Sequence, residues 1–189
     1  MDYKVILAAT WGRISGVDVF STHLVRGLRE QGIAAHILLT EPDEVVPDPM
    51  PFPSDIPVAR LPVKKRERRR NRWLATIRYL EEQAPCIYIP NYDWYHSCVS
   101  PRLSNRVGIV GVVHSDDPVH YEHVKRLGRY WNAIVAVSPA IAAEITTLSS
   151  TLAQRLVTLL HGIVVPNRLP EKRHDLNQPL RVVYAGRLV

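Results

Sequence analysis

Residues 4–18, KVILAATWGRISGVD, decide the fold. Their first part, Lys4–Thr10, is continuously apolar, which is typical of a parallel strand covered by helices on both faces. A turn containing Gly12 and Gly16 follows, and glycine lets the backbone approach a ligand closely. A helix beginning just past Gly16 would present free N–H groups to phosphate or hydroxyl oxygens. The stretch therefore predicts a strand, a turn and a helix built to hold an anionic ligand.

The first helix is predicted over Val17–Gln31, because Phe20, Leu24 and Leu28 recur at every fourth position and Gly32 supplies a carboxyl-terminal stop. The preceding turn has the spacing G-x-x-x-G. It differs from the G-x-G-x-x-G of dinucleotide-binding turns, and it lacks the Lys-Ser/Thr pair of a P-loop. On glycine spacing alone, a ligand-binding turn and a plain tight turn are equally good interpretations.

Further apolar runs of strand length recur along the chain, separated by helical or turn-like stretches. They are Ala34–Leu39, Cys86–Pro90, Val107–His114, Ala133–Ser138 and Leu156–His161, with a shorter run near Val58–Val63. Helices are predicted over Arg68–Gln83 and after Asp117-Pro118 and Ser138-Pro139, where an N-cap residue precedes a proline. This alternation predicts the α/β class with a doubly wound, Rossmann-like parallel sheet.

Composition narrows the class of protein. The chain has 189 residues, 46% of them hydrophobic, which is enough for a buried core. Cys86 and Cys98 show no C-x-x-C spacing, so neither a disulfide framework nor a zinc knuckle is indicated. No signal peptide is recognisable at the start, and no apolar run reaches the length of a membrane span. We therefore expect a cytoplasmic protein with reduced thiols.

The net charge of +6 is concentrated in residues 64–72, where seven cations stand against one glutamate. We call these seven residues the basic cluster: Lys64, Lys65, Arg66, Arg68, Arg69, Arg70 and Arg72. Because the rest of the chain is balanced, nucleic acid is not an expected partner. The cluster is either a solvated helix face or a contact for an anionic acceptor or the inner face of a membrane. Each basic residue near an anionic leaflet contributes about 1 kcal/mol.

Polar residues follow several predicted strands, at the edge where ligands bind in a doubly wound sheet. His114 ends the most apolar strand, so its imidazole either faces a substrate or is a hydrogen-bonded structural histidine. Asn91 begins a polar-aromatic loop of the kind that contacts sugars, or else a capped helix start. A metal site made of His114, Asp116, His120 and His123 is disfavoured, because only the helical spacing of two histidines supports it.

These motifs, in this order, resemble the amino-terminal half of retaining GT-B glycosyltransferases of the family 4 type. Ser15-Gly16-Val17-Asp18 resembles that family's Gly-Gly-Val-Glu turn, and Val112–Asp116 resembles its strand ending in His-x-Asp. Ile134–Ser138 is similar to its strand ending in Val-Ser, and His161-Gly162-Ile163 to its Asn-Gly-Val. Val183–Leu188 is similar to the Gly-Arg-Leu that opens the second domain. Together the five motifs span almost the whole chain.

The resemblance implies transfer of a hexose from a nucleotide-diphosphate sugar to a carbohydrate or lipid-linked acceptor, with retention at the anomeric carbon. It implies no metal and no other cofactor. By position, Gly16 would contact the donor phosphates or the acceptor, His114 the donor sugar and Arg187 the diphosphate. We take His114 and Asp116 as the catalytic candidates. The substrate-binding candidates are Gly12, Ser15, Gly16, Asn91, Ser138 and Arg187.

The resemblance also divides the chain. Residues 1–165 correspond to the acceptor-side amino-terminal domain, residues 166–180 to an interdomain linker, and residues 181–189 to the first strand of a donor-binding domain. The family's donor-binding lysine and paired glutamates belong to that second domain, which we expect to lie outside this chain. The chain alone should therefore hold the acceptor side of a cleft and be inactive.

Three residues depart from the family pattern: Ser15 stands at the first glycine, Asp18 at the glutamate and His161 at the asparagine. A side chain at Ser15 narrows the backbone conformations available to the turn. Two other interpretations of the chain remain open. One is a non-catalytic carbohydrate- or phosphate-binding module, and the other is a nucleotide-sugar epimerase of the same fold.

Overall fold

The computed structural model describes residues 3–9, 15–40, 52–64, 66–91 and 94–162. These residues form a seven-stranded sheet in the order β3-β2-β1-β4-β5-β6-β7, with every neighbouring pair parallel. The strands are β1 (Lys4–Ala9), β2 (Ala35–Leu39), β3 (Val58–Arg60), β4 (Cys86–Ile89), β5 (Val107–Val113), β6 (Ala133–Ala136) and β7 (Leu156–Thr158). The sheet confirms the predicted doubly wound α/β class. Its strand order reverses between β1 and β4, where such folds form a ligand crevice.

Helices cover the sheet. They are α1 (Gly16–Glu30), α2 (Arg69–Glu82), α3 (Trp94–Ser97), α4 (Pro118–Leu127), α5 (Pro139–Leu148) and α6 (Ser150–Ala153). The bounds of α1 and α2 each lie within one residue of those predicted from the sequence. Trp73, Ile77 and Leu80 form the inward face of α2 and pack on the sheet. No helix among the described residues combines the length and apolar character needed to cross a membrane.

Successive residues of β1 face opposite helical layers. Leu7 packs in the same cluster as Val25 of α1, whereas Ile6 packs with Leu80 of α2 on the other face. All four side chains are fully buried. Helices on both faces explain why the strand is apolar throughout and does not alternate with polar residues.

A second core lies under α4 and α5, around Trp131, which is 1% exposed. The indole ring covers Gly111 of β5 so closely that a Cβ there would stand 2.1 Å from a ring carbon. Glycine is therefore required at this position by the close approach of the ring. The Trp131 indole N–H donates a hydrogen bond to Ser100 Oγ at 3.3 Å, which satisfies its one polar group.

Candidate functional site

The carboxyl ends of β1, β4 and β5 lie side by side, because these three strands are neighbours in the sheet. We call this border of the sheet the carboxyl edge. Ser15 begins α1 there, Asn91 follows β4 and His114 follows β5. The structure thus brings three of the predicted site residues to the point where the strand order reverses.

Asn91 links the three strands. It is only 3% exposed and has a left-handed backbone with φ 53°, a conformation that asparagine tolerates better than most residues. Its amide nitrogen donates to the carbonyl oxygen of Ala8 at 3.0 Å and to Ser21 Oγ at 3.4 Å. The amide oxygen therefore points the other way, and it lies 3.3 Å from His114 Nε2. Asn91 thus orients His114, while its predicted contact with a substrate stays a prediction.

His114 is held as a neutral imidazole. Because the Asn91 oxygen can only accept, His114 Nε2 carries the proton and Nδ1 is unprotonated. Burial, with smaller contributions from His161 and His120, lowers the pKa of His114 to about 3. At neutral pH the ring can therefore take part in hydrogen bonds without bringing a charge into the site.

Two further rings enclose His114. Phe20 of α1 meets it edge to face with ring centroids 4.8 Å apart, and His161 stacks on it at 5.5 Å with an interplanar angle of 15°. Phe20 also contacts His161 edge to face at 4.9 Å. The sequence identified His161 only as a departure from the family and placed Phe20 in a helix stripe. Nothing in their local patterns indicated that they form one ring cluster with His114.

Ser15 is the N-cap of α1. Its hydroxyl oxygen accepts from the backbone N–H of Asp18 at 3.2 Å, and the hydroxyl donates to Asp18 Oδ2 at 2.8 Å. The first bond satisfies one of the backbone donors that a helix start otherwise leaves unpaired, and the second fixes the orientation of the hydroxyl. Burial, which outweighs the hydrogen bond from Ser15, raises the pKa of Asp18. The departure from glycine at Ser15 therefore has a structural role. Gly16 is the exposed first residue of the helix, and no described atom lies within 4 Å of where its Cβ would be.

Asp116 and Ser138 are occupied within their own strand-to-helix junctions. Asp116 accepts a hydrogen bond from the hydroxyl of Tyr121 at 2.6 Å. Ser138 caps α5 by accepting from the backbone N–H of Ile141 at 3.2 Å. Asp117 caps α4, as the sequence predicts. The catalytic and substrate-binding roles assigned to Asp116 and Ser138 stay predictions, and Gly12 and Arg187 lie outside the described residues.

His120 and His123, the two histidines of α4, lie in different environments. His123 is 2% exposed and packs beside Trp131 with ring centroids 5.6 Å apart, so it is a core residue. His120 Nδ1 lies 3.2 Å from the carbonyl oxygen of Ser115. In the part of the chain that the structure describes, no group of three histidine, cysteine or acidic side chains is arranged to hold a metal ion.

Thr40 and His96 form a buried polar pair next to the carboxyl edge. Thr40, at the end of β2, has its hydroxyl 3.3 Å from the carbonyl oxygen of Ala9 and 2.7 Å from His96 Nε2. Tyr88 donates to the carbonyl oxygen of His96 at 3.2 Å. No local pattern indicates this pairing, since Thr40 and His96 are 56 residues apart.

The basic cluster lies on the same side of the sheet, because α2 follows β3 and so begins at the carboxyl edge. Arg68 occupies the N-cap position of α2 without making a side-chain cap, and the first turn contains no acidic residue. Arg66, Arg69 and Arg70 are exposed as well, and the single glutamate of the segment, Glu67, accepts a hydrogen bond from Asn71. Lys65 lies outside the described residues.

Comparison with known proteins places this geometry in context. The family model described as Glycosyltransferase Family 4 matches residues 14–169. None of the curated protein sequences is significantly similar to the chain.

Solved structures match over most of the chain. The apo form of the lipopolysaccharide outer core galactosyltransferase WaaB superposes with a TM-score of 0.62 and 14% identity, over 92% of this chain and 50% of WaaB. Anabaena Alr3699/HepE in complex with UDP gives a TM-score of 0.60 and 13% identity, over 85% of this chain and 44% of HepE. The HepE complex with UDP and glucose gives a TM-score of 0.62. At these identities the matches show the fold, and the chain spans about half the length of these proteins.

Proposed function

The chain belongs to glycosyltransferase family 4, and from that premise we propose that it is the acceptor-side domain of a GT-B enzyme. The enzyme would transfer a hexose from a nucleotide-diphosphate sugar to a carbohydrate or lipid-linked acceptor, with retention. The observation that carries the proposal is the neutral His114, held by Asn91 at the carboxyl edge beside the start of α1. A sugar is an uncharged polyol, and a neutral imidazole binds hydroxyl groups without having to be neutralised first.

The donor class is proposed on two grounds. The HepE structures are described as complexes with UDP, glucose or UDP-glucose, and they share the fold of this chain. In this chain, Gly16 is an exposed residue at the amino end of α1, where backbone N–H groups suit phosphate oxygens.

The remaining substrate contacts would come partly from this chain and partly from a second domain. Arg187 and Gly12 would contact the diphosphate and the turn-bound ligand, and the second domain would supply most of the donor site. The chain of residues 1–189 alone is therefore expected to be inactive.

The test is a transfer and donor-hydrolysis assay of the full-length gene product with a panel of UDP-, GDP- and ADP-hexoses. We expect turnover with one of these donors, and His114→Ala should reduce kcat/KM by about 100-fold, the scale of losing a well-placed hydrogen-bond partner. Lys125→Gln, on the exposed side of α4, should leave turnover unchanged. Donor binding without turnover would favour the non-catalytic binding module.

A nucleotide-sugar epimerase gains no support from the carboxylates of the described strand ends. Asp116 is engaged by Tyr121, and Asp117 caps α4. An epimerase needs an acid/base group directed at the sugar ring.

The basic cluster extends the proposal to the location of the enzyme. We propose peripheral contact with the anionic inner face of a membrane, from the cytoplasmic side, through Arg66, Arg68, Arg69 and Arg70. Within α2, Leu74 is the one large apolar side chain that is exposed. A single such residue does not form the apolar face that insertion requires, so the contact would be electrostatic. A lipid-linked acceptor would then approach the carboxyl edge from the membrane.

A further inference from the structure

A cavity lies at the opposite end of the sheet from the candidate site. It has a volume of about 310 Å³ and is lined by Lys4, Arg29, Ala34, Ala35, His36, Pro57, Val58, Ala59, Tyr79 and Gln83. These residues come from the amino ends of β1, β2 and β3 and from the last turns of α1 and α2. We call it the amino-edge cavity. It lies away from the candidate site, and its interpretation is independent of the proposed transfer reaction.

The cavity forms where the apolar layer between α2 and the sheet becomes polar. Ile6 of β1 and Leu38 of β2 are buried under α2. Two residues earlier in each strand, and therefore on the same face of the sheet, the side chains are the polar Lys4 and His36. Small residues, among them Ala59, leave the space open.

Two cross-layer hydrogen bonds shape the walls. Lys4 Nζ donates to Gln83 Oε1 at 2.8 Å, and His36 Nε2 lies 2.8 Å from the hydroxyl of Tyr79. The lysine ammonium has three N–H donors, so at most one is used in the Gln83 bond. Arg29 makes a long contact of 3.5 Å with the carbonyl oxygen of Ala35, which leaves most of its five donors available.

The lining carries a net positive charge. Among the described residues that form it there is no aspartate or glutamate, and there are two cations, Lys4 and Arg29. Burial, together with the Lys4 charge, lowers the pKa of His36, and burial raises the pKa of Tyr79, so both are neutral at pH 7. The neighbouring thiol of Cys86 also stays neutral, because burial raises its pKa to about 11.

The negative ends of the two helices offset only part of this charge. In α1, the backbone N–H groups of Gln31 and Gly32 bond to carbonyl oxygens of the last turn. In α2, those of Gln83 and Ala84 do the same. These bonds satisfy some of the carbonyls that each helix end would otherwise leave unpaired. Two full positive charges therefore exceed the partial charges of the helix ends.

The geometry points to the amino-edge cavity as a binding site for a small organic anion, a carboxylate or phosphate monoester with an apolar body. Lys4, Arg29 and Gln83 would bind the anionic group, and the apolar body would rest on Ala59, which lies on the α2 side of the sheet with His36 and Tyr79. The cavity is open to solvent, so part of a bound ligand would stay exposed.

The test is an NMR titration of the ¹⁵N-labelled chain with benzoate and, separately, with phenyl phosphate at constant ionic strength. The readout is the backbone amide signals of Ala35 and Ala59, which distinguish this cavity from anion binding at the basic cluster. We expect saturable shifts with a Kd on the order of 1 mM for at least one anion, which is typical of so small a ligand. The two anions show whether a carboxylate or a phosphate is preferred.

Variants separate the site from general charge attraction. Lys4→Met and Arg29→Met should each weaken the binding at least about fivefold, whereas Lys125→Met on α4 should leave it unchanged. Arg29 is exposed and does not take part in the Lys4–Gln83 pair, so its variant remains informative if Lys4→Met fails to fold. Shifts that do not saturate, equal binding of neutral benzamide, or unchanged affinity in Arg29→Met would each overturn the assignment.

Discussion

The amino ends of α1 and α2 both lie at the carboxyl edge, yet they are built in opposite ways. At α1, Ser15 caps the helix and Asp18 is buried in the first turn. At α2, Arg68 occupies the N-cap position without a cap bond, and no acidic residue follows in the first turn. Acids near a helix amino end stabilise it, whereas each cation there costs roughly 0.3–1 kcal/mol.

The other long helices that leave this edge follow the pattern of α1. Asp117 caps α4 and Ser138 caps α5, each by a side-chain hydrogen bond to the backbone. The exposed cations of α2 therefore do not serve the stability of that helix. This contrast favours a binding role for the basic cluster and a structural role for the start of α1.

Neutralising the basic cluster should have the largest effect on this contrast. With each residue contributing about 1 kcal/mol, the combined variant Arg68→Gln/Arg69→Gln/Arg70→Gln should bind anionic vesicles about 100-fold more weakly. Co-sedimentation with phosphatidylglycerol vesicles at low and high salt measures the change. The wild-type chain should release the vesicles as salt rises, because exposed charges are screened.

The matched control for this variant is Lys125→Gln/Arg126→Gln/Arg129→Gln, which also removes three exposed cations, from α4 and the turn after it. It should keep wild-type binding. If both variants bind alike, the attraction comes from net charge alone. If the triple variant loses only binding to soluble phosphate monoesters, the cluster serves a phosphorylated acceptor and not a membrane.

Removing the cap of α1 should have the next largest effect. Ser15→Ala takes away both hydrogen bonds with Asp18 and should lower the free energy of unfolding by about 1 kcal/mol. Arg68→Ala, at the equivalent position of α2, removes no cap bond and should not lower it. Urea unfolding of the two variants makes the comparison directly, and an equal loss in both would mean that the two helix starts do not differ in stability.

The helix starts also show which features of the fold could be predicted from the sequence. The bounds of α1 and α2 followed from apolar spacing, and the caps Asp117 and Ser138 from the proline after each of them. All these signals lie within a few residues of the feature they predict, since spacing and capping are local properties of the backbone.

The interior of the candidate site could not be predicted in this way. Asn91 bonds to Ala8 and Ser21, which lie 83 and 70 residues away, and its left-handed backbone depends on those partners. The stacking of His161 on His114 likewise arises only when β5 and β7 are placed in one sheet. The sequence identified His114 by its place at a strand end, but its tautomer depends on tertiary contacts.

Giving α2 a cap should produce a smaller gain. Arg68→Ser supplies an N-cap hydroxyl and removes a cation from the positive end of the helix, so it should raise the free energy of unfolding by about 0.5–1 kcal/mol. The same change in mid-helix, Arg78→Ser, should give no gain, because no free N–H groups are present there. Thermal and urea unfolding measure both. A loss of stability in Arg68→Ser would mean that the arginine makes a stabilising contact and is not kept for binding.

The smallest effect should come from the buried acid of α1, and it should depend on pH. Burial raises the pKa of Asp18, so the folded chain holds this proton more tightly than the unfolded chain. The stability that this group adds is therefore complete below the ordinary range of an aspartate, and it is lost as pH rises through the raised pKa. The difference in unfolding free energy between wild type and Asp18→Asn should fall across that window and stay level above it. Asp55→Asn provides the opposite case, because a hydrogen bond from Arg26 lowers the pKa of Asp55 and its contribution grows as pH rises. If the stability differences of Asp18→Asn and Asp55→Asn changed in the same direction with pH, Asp18 would be a solvated acid stabilised by the helix dipole. The starts of α1 and α2 would then differ only in the sign of their charge.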